Sequence, residues 1–195
     1  MYKIVLASNS PRRKEILEQV GITFQCIPSD LEEISDKKDA IDLVEELASN
    51  KATDVMKKLE GPVIVIGADT VVTHNGIIMG KPKSAEDAID MLKKLQGNGH
   101  EVYTGVAILV KEANGQERRV SFADVSKVIV NPMTDKQIND YIASGEPFDK
   151  AGAYAIQGKF AIHIKEIIGD YYNIVGLPIS KIYSVLQEYG IDLLG

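Results

Sequence analysis

The 195-residue chain has one cysteine, Cys26, no tryptophan and three histidines. A single cysteine excludes an internal disulfide framework and suits a reducing cytoplasm. His74, His100 and His163 show no metal-ligand spacing, and without a cysteine pair a structural zinc site has no support. Also lacking are an apolar run of membrane-spanning length and the charged-then-apolar opening of a signal peptide, so a cytoplasmic protein with no membrane contact is expected. Positive charge is in deficit. The balance of 22 Lys and Arg against 28 Asp and Glu, net −6, argues against stable nucleic-acid binding. The P-loop pattern, G-x-G-x-x-G and G-x-S-x-G are all absent, which withdraws support from two nucleotide folds and from serine hydrolase chemistry.

What is present is ordinary globular composition, 45% hydrophobic and 26% charged, in a chain long enough for a substantial core. No repeat or linker divides it, so one domain over residues 1–195 is expected. Tyr2–Ala7 reads as a buried strand. Ser10 then serves as N-cap and Pro11 as first residue of a helix with Ile16, Leu17 and Val20 on its apolar stripe, stopped by Gly21. Ile22, Phe24 and Cys26 alternate as a short strand before an acidic loop, SDLEEISDKKD. A helix follows over about Ala40–Leu59. PVIVIGADTVV predicts a central strand, and Asn75-Gly76 a hairpin. Ser84 with Asp87, and Thr134 with Gln137, signal two capped helices. Between them lie strands over about His100–Lys111 and Arg118–Val130, turning at Asn114-Gly115. A glycine-rich passage, a further strand and a helix through Leu186 complete the chain. Helices alternate with strands but hairpins are mixed in, which predicts an α/β protein with a mixed sheet.

Three places could carry chemistry. The first is SNSPRRK, where Arg12, Arg13 and Lys14 fall in the first turn of a helix, the end at which the macrodipole disfavours cations. Serine hydroxyls, free helix-start N–H groups and guanidinium forks are what phosphate recognition needs, although an N-cap followed by solvated charges reads equally well. The second is Asp69, inside the apolar central strand. A carboxylate there is either structural or, near cations, a general base or metal ligand, and the functional reading is preferred. The third is a set of lysines and acids around it. Lys51 sits on the apolar side of its helix, where snorkelling is the preferred reading and an ammonium pointing into a polar cleft the alternative. Lys81 is confined between Gly80 and Pro82, and Glu32 and Glu33 lie in the acidic loop, by default a solvated face. One carboxylate beside Asp69 would suffice for Mg²⁺, which keeps several waters.

Five collinear segments, LASNSPRR, GADTVV, GKPKSAEDAIDMLKKLQGNGHEVYTGVAI, GEPFDKAGAYAIQG and YYNIVGLP, together resemble the Maf family of nucleoside triphosphate pyrophosphatases over essentially the whole chain. DKAGAYAIQG looks like the subgroup acting on dTTP and UTP. The resemblance implies an elongated mixed sheet with helices in two lobes and a central substrate cleft, and hydrolysis to the monophosphate and pyrophosphate with a divalent metal, Mg²⁺ or Mn²⁺. It also implies a link to arrest of septum formation. By the same resemblance Asp69 is the proton acceptor, and Arg12, Thr70 and Gln157 govern base selection. Ser8, Ser10, Arg13, Lys51 and Lys81 handle phosphate, which reverses the snorkelling preference for Lys51, and Glu33 is the acidic position near the metal beside Asp69. Ser126 and Gln96 depart from the family's frequent Thr and Ser, which bears on fine specificity. The expected partners are a nucleoside triphosphate and a second copy of the chain in a homodimer. A nucleotidyltransferase and a non-enzymatic division regulator are the rival readings.

Overall fold

The computed structural model describes residues 2–193. Its seven strands hydrogen-bond in the order β2-β1-β3-β5-β6-β7, with β4 paired to β3. They are β1 (Lys3–Leu6), β2 (Gln25–Cys26), β3 (Val63–His74), β4 (Ile77–Met79), β5 (Gly99–Lys111), β6 (Glu117–Val130) and β7 (Ile164–Ile168). Six α-helices accompany them: α1 (Pro11–Gln19), α2 (Ala40–Met56), α3 (Ala85–Leu95), α4 (Asp135–Ala143), α5 (Tyr171–Val175) and α6 (Ile179–Glu188). β1 runs parallel to β2 and β3, whereas β4 and β7 are antiparallel to β3 and β6. The expected mixed sheet flanked by helices is therefore what the chain forms.

The described residues fall into two compact units. The first takes residues 2–69, 104–124 and 176–193. Its core includes Val5 and Ala7 of the first strand region, Ala48, Ala52, Val55 and Met56 of α2, Val63 and Val65 of β3, and Ala107 and Leu109 of β5. Two glycines bring α2 onto these strands at backbone distance. A Cβ at Gly67 would overlap the Ala48 carbonyl oxygen and lie 2.9 Å from the Ala52 Cβ. A Cβ at Gly105 would overlap the Val44 backbone. Any side chain at either position pushes the helix away.

The second unit comprises Thr70–Tyr103 and Val125–Val175. The hairpin at Asn75-Gly76 forms with φ of 52° and 74°, the left-handed pair that a type I′ turn requires. Ser84 accepts from Asp87 N at 3.2 Å, and Thr134 with Gln137 forms a full capping box on α4. A buried Ser126 hydroxyl accepts from Asn173 Nδ2 at 2.9 Å and from the Asp170 N–H at 3.0 Å, tying α5 to β6.

Several boundaries differ from the sequence reading. The strand around Ile22–Cys26 shrinks to Gln25–Cys26, since only Val5 and Leu6 pair with it. α2 stops at Met56, and Lys57 and Lys58 continue as a turn. The last strand is preceded by a 3₁₀ turn over Lys159–His163. Ser10 occupies the N-cap position with extended backbone but makes no side-chain cap bond. Its own N–H instead donates to Ser8 Oγ at 3.1 Å.

Candidate active site

The strand alternation of β3 decides which side chains meet. Val63, Val65, Gly67 and Asp69 share one face, the first three against α2. Lys51 lies in α2 between Ala48 and Ala52, the residues that Gly67 admits to contact. The absent side chain at Gly67 thus draws the helix close enough for Lys51 to reach Asp69. Lys51 Nζ lies 2.6 Å from Asp69 Oδ1 and 2.6 Å from Glu33 Oε1. The Lys51 and Asp69 side chains are 14% and 11% exposed, whereas Glu33 is half exposed. Of the two readings of Lys51 from its helix position, snorkelling and an inward-turned ammonium, the second matches this geometry. Lys51 does not snorkel, because its ammonium is turned to a nearly buried carboxylate. The solvated-face reading of Glu33 also fails, since the acidic loop folds back to place that carboxylate on the same ammonium.

The opening segment is packed more tightly than its charge suggests. Arg13 is buried, with Nε donating to Gly176 O at 2.7 Å and Nη1 to Ser8 Oγ at 3.3 Å. Burial, with repulsion from Arg12, lowers the Arg13 pKa, and the negative charges of Asp69 and Glu33 offset only part of that. The guanidinium is therefore sustained in the interior by the same two carboxylates that hold Lys51. Arg12 is half-buried in the first turn of α1, where backbone N–H groups start the helix. Ser8, Ser10, Arg13, Glu33, Lys51 and Asp69 all belong to the first unit.

The remaining expected residues belong to the second unit. Thr70 follows Asp69 along β3 and is half-buried. Lys81 is exposed in the stretch after β4, between buried Pro82 and Gly80, whose carbonyl accepts from Gly152 N at 3.1 Å. Gln157 is exposed on a turn closed by Gly158 N donating to Ala155 O at 3.1 Å. Sequence reasoning missed Gly67 and Gly105 as site-building positions. An isolated glycine in a strand is the available signal, because it marks close backbone approach.

Two acidic groups converging on one cation form an oxygen donor set of the kind that hard divalent ions take. Among the described residues no group of three or more His, Cys, Asp or Glu side chains could hold a metal. Two carboxylates completed by water and phosphate oxygens still fit Mg²⁺ or Mn²⁺, because Mg²⁺ is commonly held by one or two carboxylates plus substrate phosphates. Among the described residues no helix is long and apolar enough to cross a membrane.

Known proteins are similar to this chain along its length. A dTTP/UTP pyrophosphatase of Lachnoclostridium phytofermentans is 50% identical over 194 residues, 100% of this chain and 98% of the relative. A protein of the same name from Alkaliphilus metalliredigens is 48% identical over 190 residues, 97% of each chain. Among solved structures, a HAM1 protein from Coxiella burnetii has a similar fold, with a TM-score of 0.51 at 17% identity over 96% of this chain and 100% of that one. A family profile described as "Maf-like protein" matches residues 3–189. With nearly every described residue inside that match, the chain belongs to the Maf-like protein family.

Proposed function

We propose that the protein hydrolyses dTTP and UTP to the monophosphate and pyrophosphate, breaking the anhydride between the α- and β-phosphates. The observation that carries this reading is the nearly buried Asp69 carboxylate held 2.6 Å from the Lys51 ammonium, in a chain half identical to a dTTP/UTP pyrophosphatase. A divalent cation held by Glu33 and Asp69 would supply charge neutralisation to the phosphate oxygens. The chain's own residues do the rest. Asp69 orients the attacking water and accepts its proton, so that one water is consumed and one proton leaves with the products. Lys51, once a cation or phosphate competes for its carboxylates, is free to turn its compact charge to the polyphosphate. Ser8 and Ser10 with the α1 backbone N–H groups offer donors to phosphate oxygens, and Arg13 fixes Ser8 from behind. Lys81 adds a further cation, while Arg12, Thr70 and Gln157 read the base.

The same reading has the chain acting as a homodimer, which sedimentation equilibrium measures directly. The test of the activity is a nucleotide panel with and without Mg²⁺ or Mn²⁺, with product analysis. Pyrophosphate and monophosphate released from dTTP or UTP, and only with the cation, is the expected result. Orthophosphate with the nucleoside diphosphate would overturn it.

A further inference from the structure

Gln157 stands on a turn whose two ends are gripped by one pair of side chains. Tyr141, in the last turn of α4, is buried, and Glu146 follows just beyond the helix. Tyr141 Oη donates to Glu146 Oε1 at 2.8 Å. The same phenol oxygen accepts from the Ala155 N–H at 3.2 Å, at the start of the turn. The other carboxylate oxygen, Glu146 Oε2, accepts from the Lys159 N–H at 3.0 Å, just past the turn's end. A Cβ at Gly158 would overlap the Glu146 carboxylate, so a side chain there would push Glu146 out of this position. Burial and the Glu146 contact both raise the Tyr141 pKa, which keeps the phenol protonated and donating. Ala155 and Ile156 are buried while Gln157 is exposed, so the clamp sets the backbone from which only that side chain projects.

We propose that Tyr141 and Glu146 are positioning residues that set base discrimination by fixing the Ala155–Gly158 turn beneath Gln157. The inference rests on the pyrimidine triphosphatase reading above and on Gln157 reading the base. An amide side chain can donate and accept at once, but each bond tolerates little displacement or misalignment. UTP and CTP carry the same sugar and phosphates and differ only on the base edge. UTP presents N–H and carbonyl groups where CTP presents a ring nitrogen and an amine. A turn held at both ends fixes the backbone position from which the Gln157 amide reaches that edge, and a loosened turn lets it serve either base.

The experiment compares Tyr141→Phe, Glu146→Gln and Gln157→Ala, with the double variant Tyr141→Phe/Gln157→Ala, on UTP and CTP. Phe keeps the ring that packs 5.0 Å from Phe160 and removes only the hydroxyl, and Gln at 146 keeps one acceptor, so both are expected to fold. Thermal melts of each variant check this. Losing one such hydrogen bond should lower the UTP-to-CTP ratio of kcat/KM about fivefold, mainly through KM for UTP, with kcat within about twofold. In the Gln157→Ala background Tyr141→Phe should change the ratio no further, which a merely structural role would not produce. Variants that keep the wild-type ratio, or that lower kcat equally on both nucleotides, would overturn the proposal. If the wild-type protein itself fails to turn over dTTP and UTP, the pyrophosphatase reading is what has failed and the proposal goes with it. Wild-type turnover with unchanged variant ratios isolates failure of the clamp.

Discussion

Replacing Lys51 by Met separates a structural lysine from a phosphate-directed one, and the structure assigns a sign to its effect on stability. Met preserves length and apolar stem while removing the ammonium that lies 2.6 Å from both Asp69 and Glu33. Glu33 is half exposed and rehydrates. Asp69, 11% exposed, does not. Removing one partner of a buried pair costs about 3–5 kcal/mol, and the rim of solvent at Asp69 together with Arg13 nearby brings the expectation to about 2–3 kcal/mol. For a chain of this length that is a fall in Tm of roughly 5–10 °C. An apolar-face lysine that snorkelled would forecast the opposite, a neutral or stabilising change. The assay is a set of melts in metal-free buffer on the wild type, Lys51→Met, Asp69→Asn and the double variant. The double variant should recover most of the loss, giving a coupling energy of the same size. Added Mg²⁺ should raise the Tm of Lys51→Met more than that of the wild type, because the cation replaces the missing ammonium. On dTTP the single variant should also lose transition-state stabilisation worth several kcal/mol in kcat/KM. A Lys51→Met protein melting within about 1 °C of the wild type, with an additive double variant, would refute the ion-pair reasoning.

Asp69→Asn keeps the shape and should lower turnover by ~10²–10⁴, measured as kcat for dTTP at saturating Mg²⁺, while an active variant would return the general-base role to another carboxylate. Gly67→Ala should destabilise by about 1–3 kcal/mol in urea melts, because its Cβ overlaps the Ala48 carbonyl oxygen and forces α2 off β3. It should also lower kcat/KM, since Lys51 moves with the helix, and wild-type stability would show that α2 is not held at backbone distance. His100 is buried beside Tyr154, and burial with the nearby His74 charge holds its pKa at about 4, against 6.5 when exposed. The unfolded chain then takes up a proton that the folded one refuses, so this contribution is complete above pH 6.5 and declines as pH falls toward 4, by about 3 kcal/mol in all. His100→Gln should flatten that limb of the urea stability profile, and an unchanged limb would remove His100 from the account.

The elements with strong local signals were legible, and the reason is that their determinants are local. The Thr134–Gln137 capping box, the Asn75-Gly76 hairpin and the alternation of β3 each depend on residues a few positions apart. The site depended on contacts across long sequence separations, and there the reading was partial. Asp69 stood out because a carboxylate inside an apolar strand demands a partner. Which partner it found could not be read off, because periodicity placed Lys51 on the right side of α2 without saying how near α2 came to β3. That distance is set by what Gly67 and Gly105 lack. Glu33 was harder still. Nothing local distinguishes it from Glu32 in an acidic loop, and only the loop's return to Lys51 does so. The family resemblance supplied roles for Lys51 and Glu33 without supplying this geometry. The geometry adds that one ammonium is held by both carboxylates. With the buried Arg13 guanidinium counted, two cations face the two carboxylates, so any incoming cation or phosphate must compete with existing pairs. Binding at the site is therefore an exchange of partners, whose free energy is the new contact minus the old one. That is why the metal-free stability of Lys51→Met and its response to Mg²⁺ belong in the same experiment.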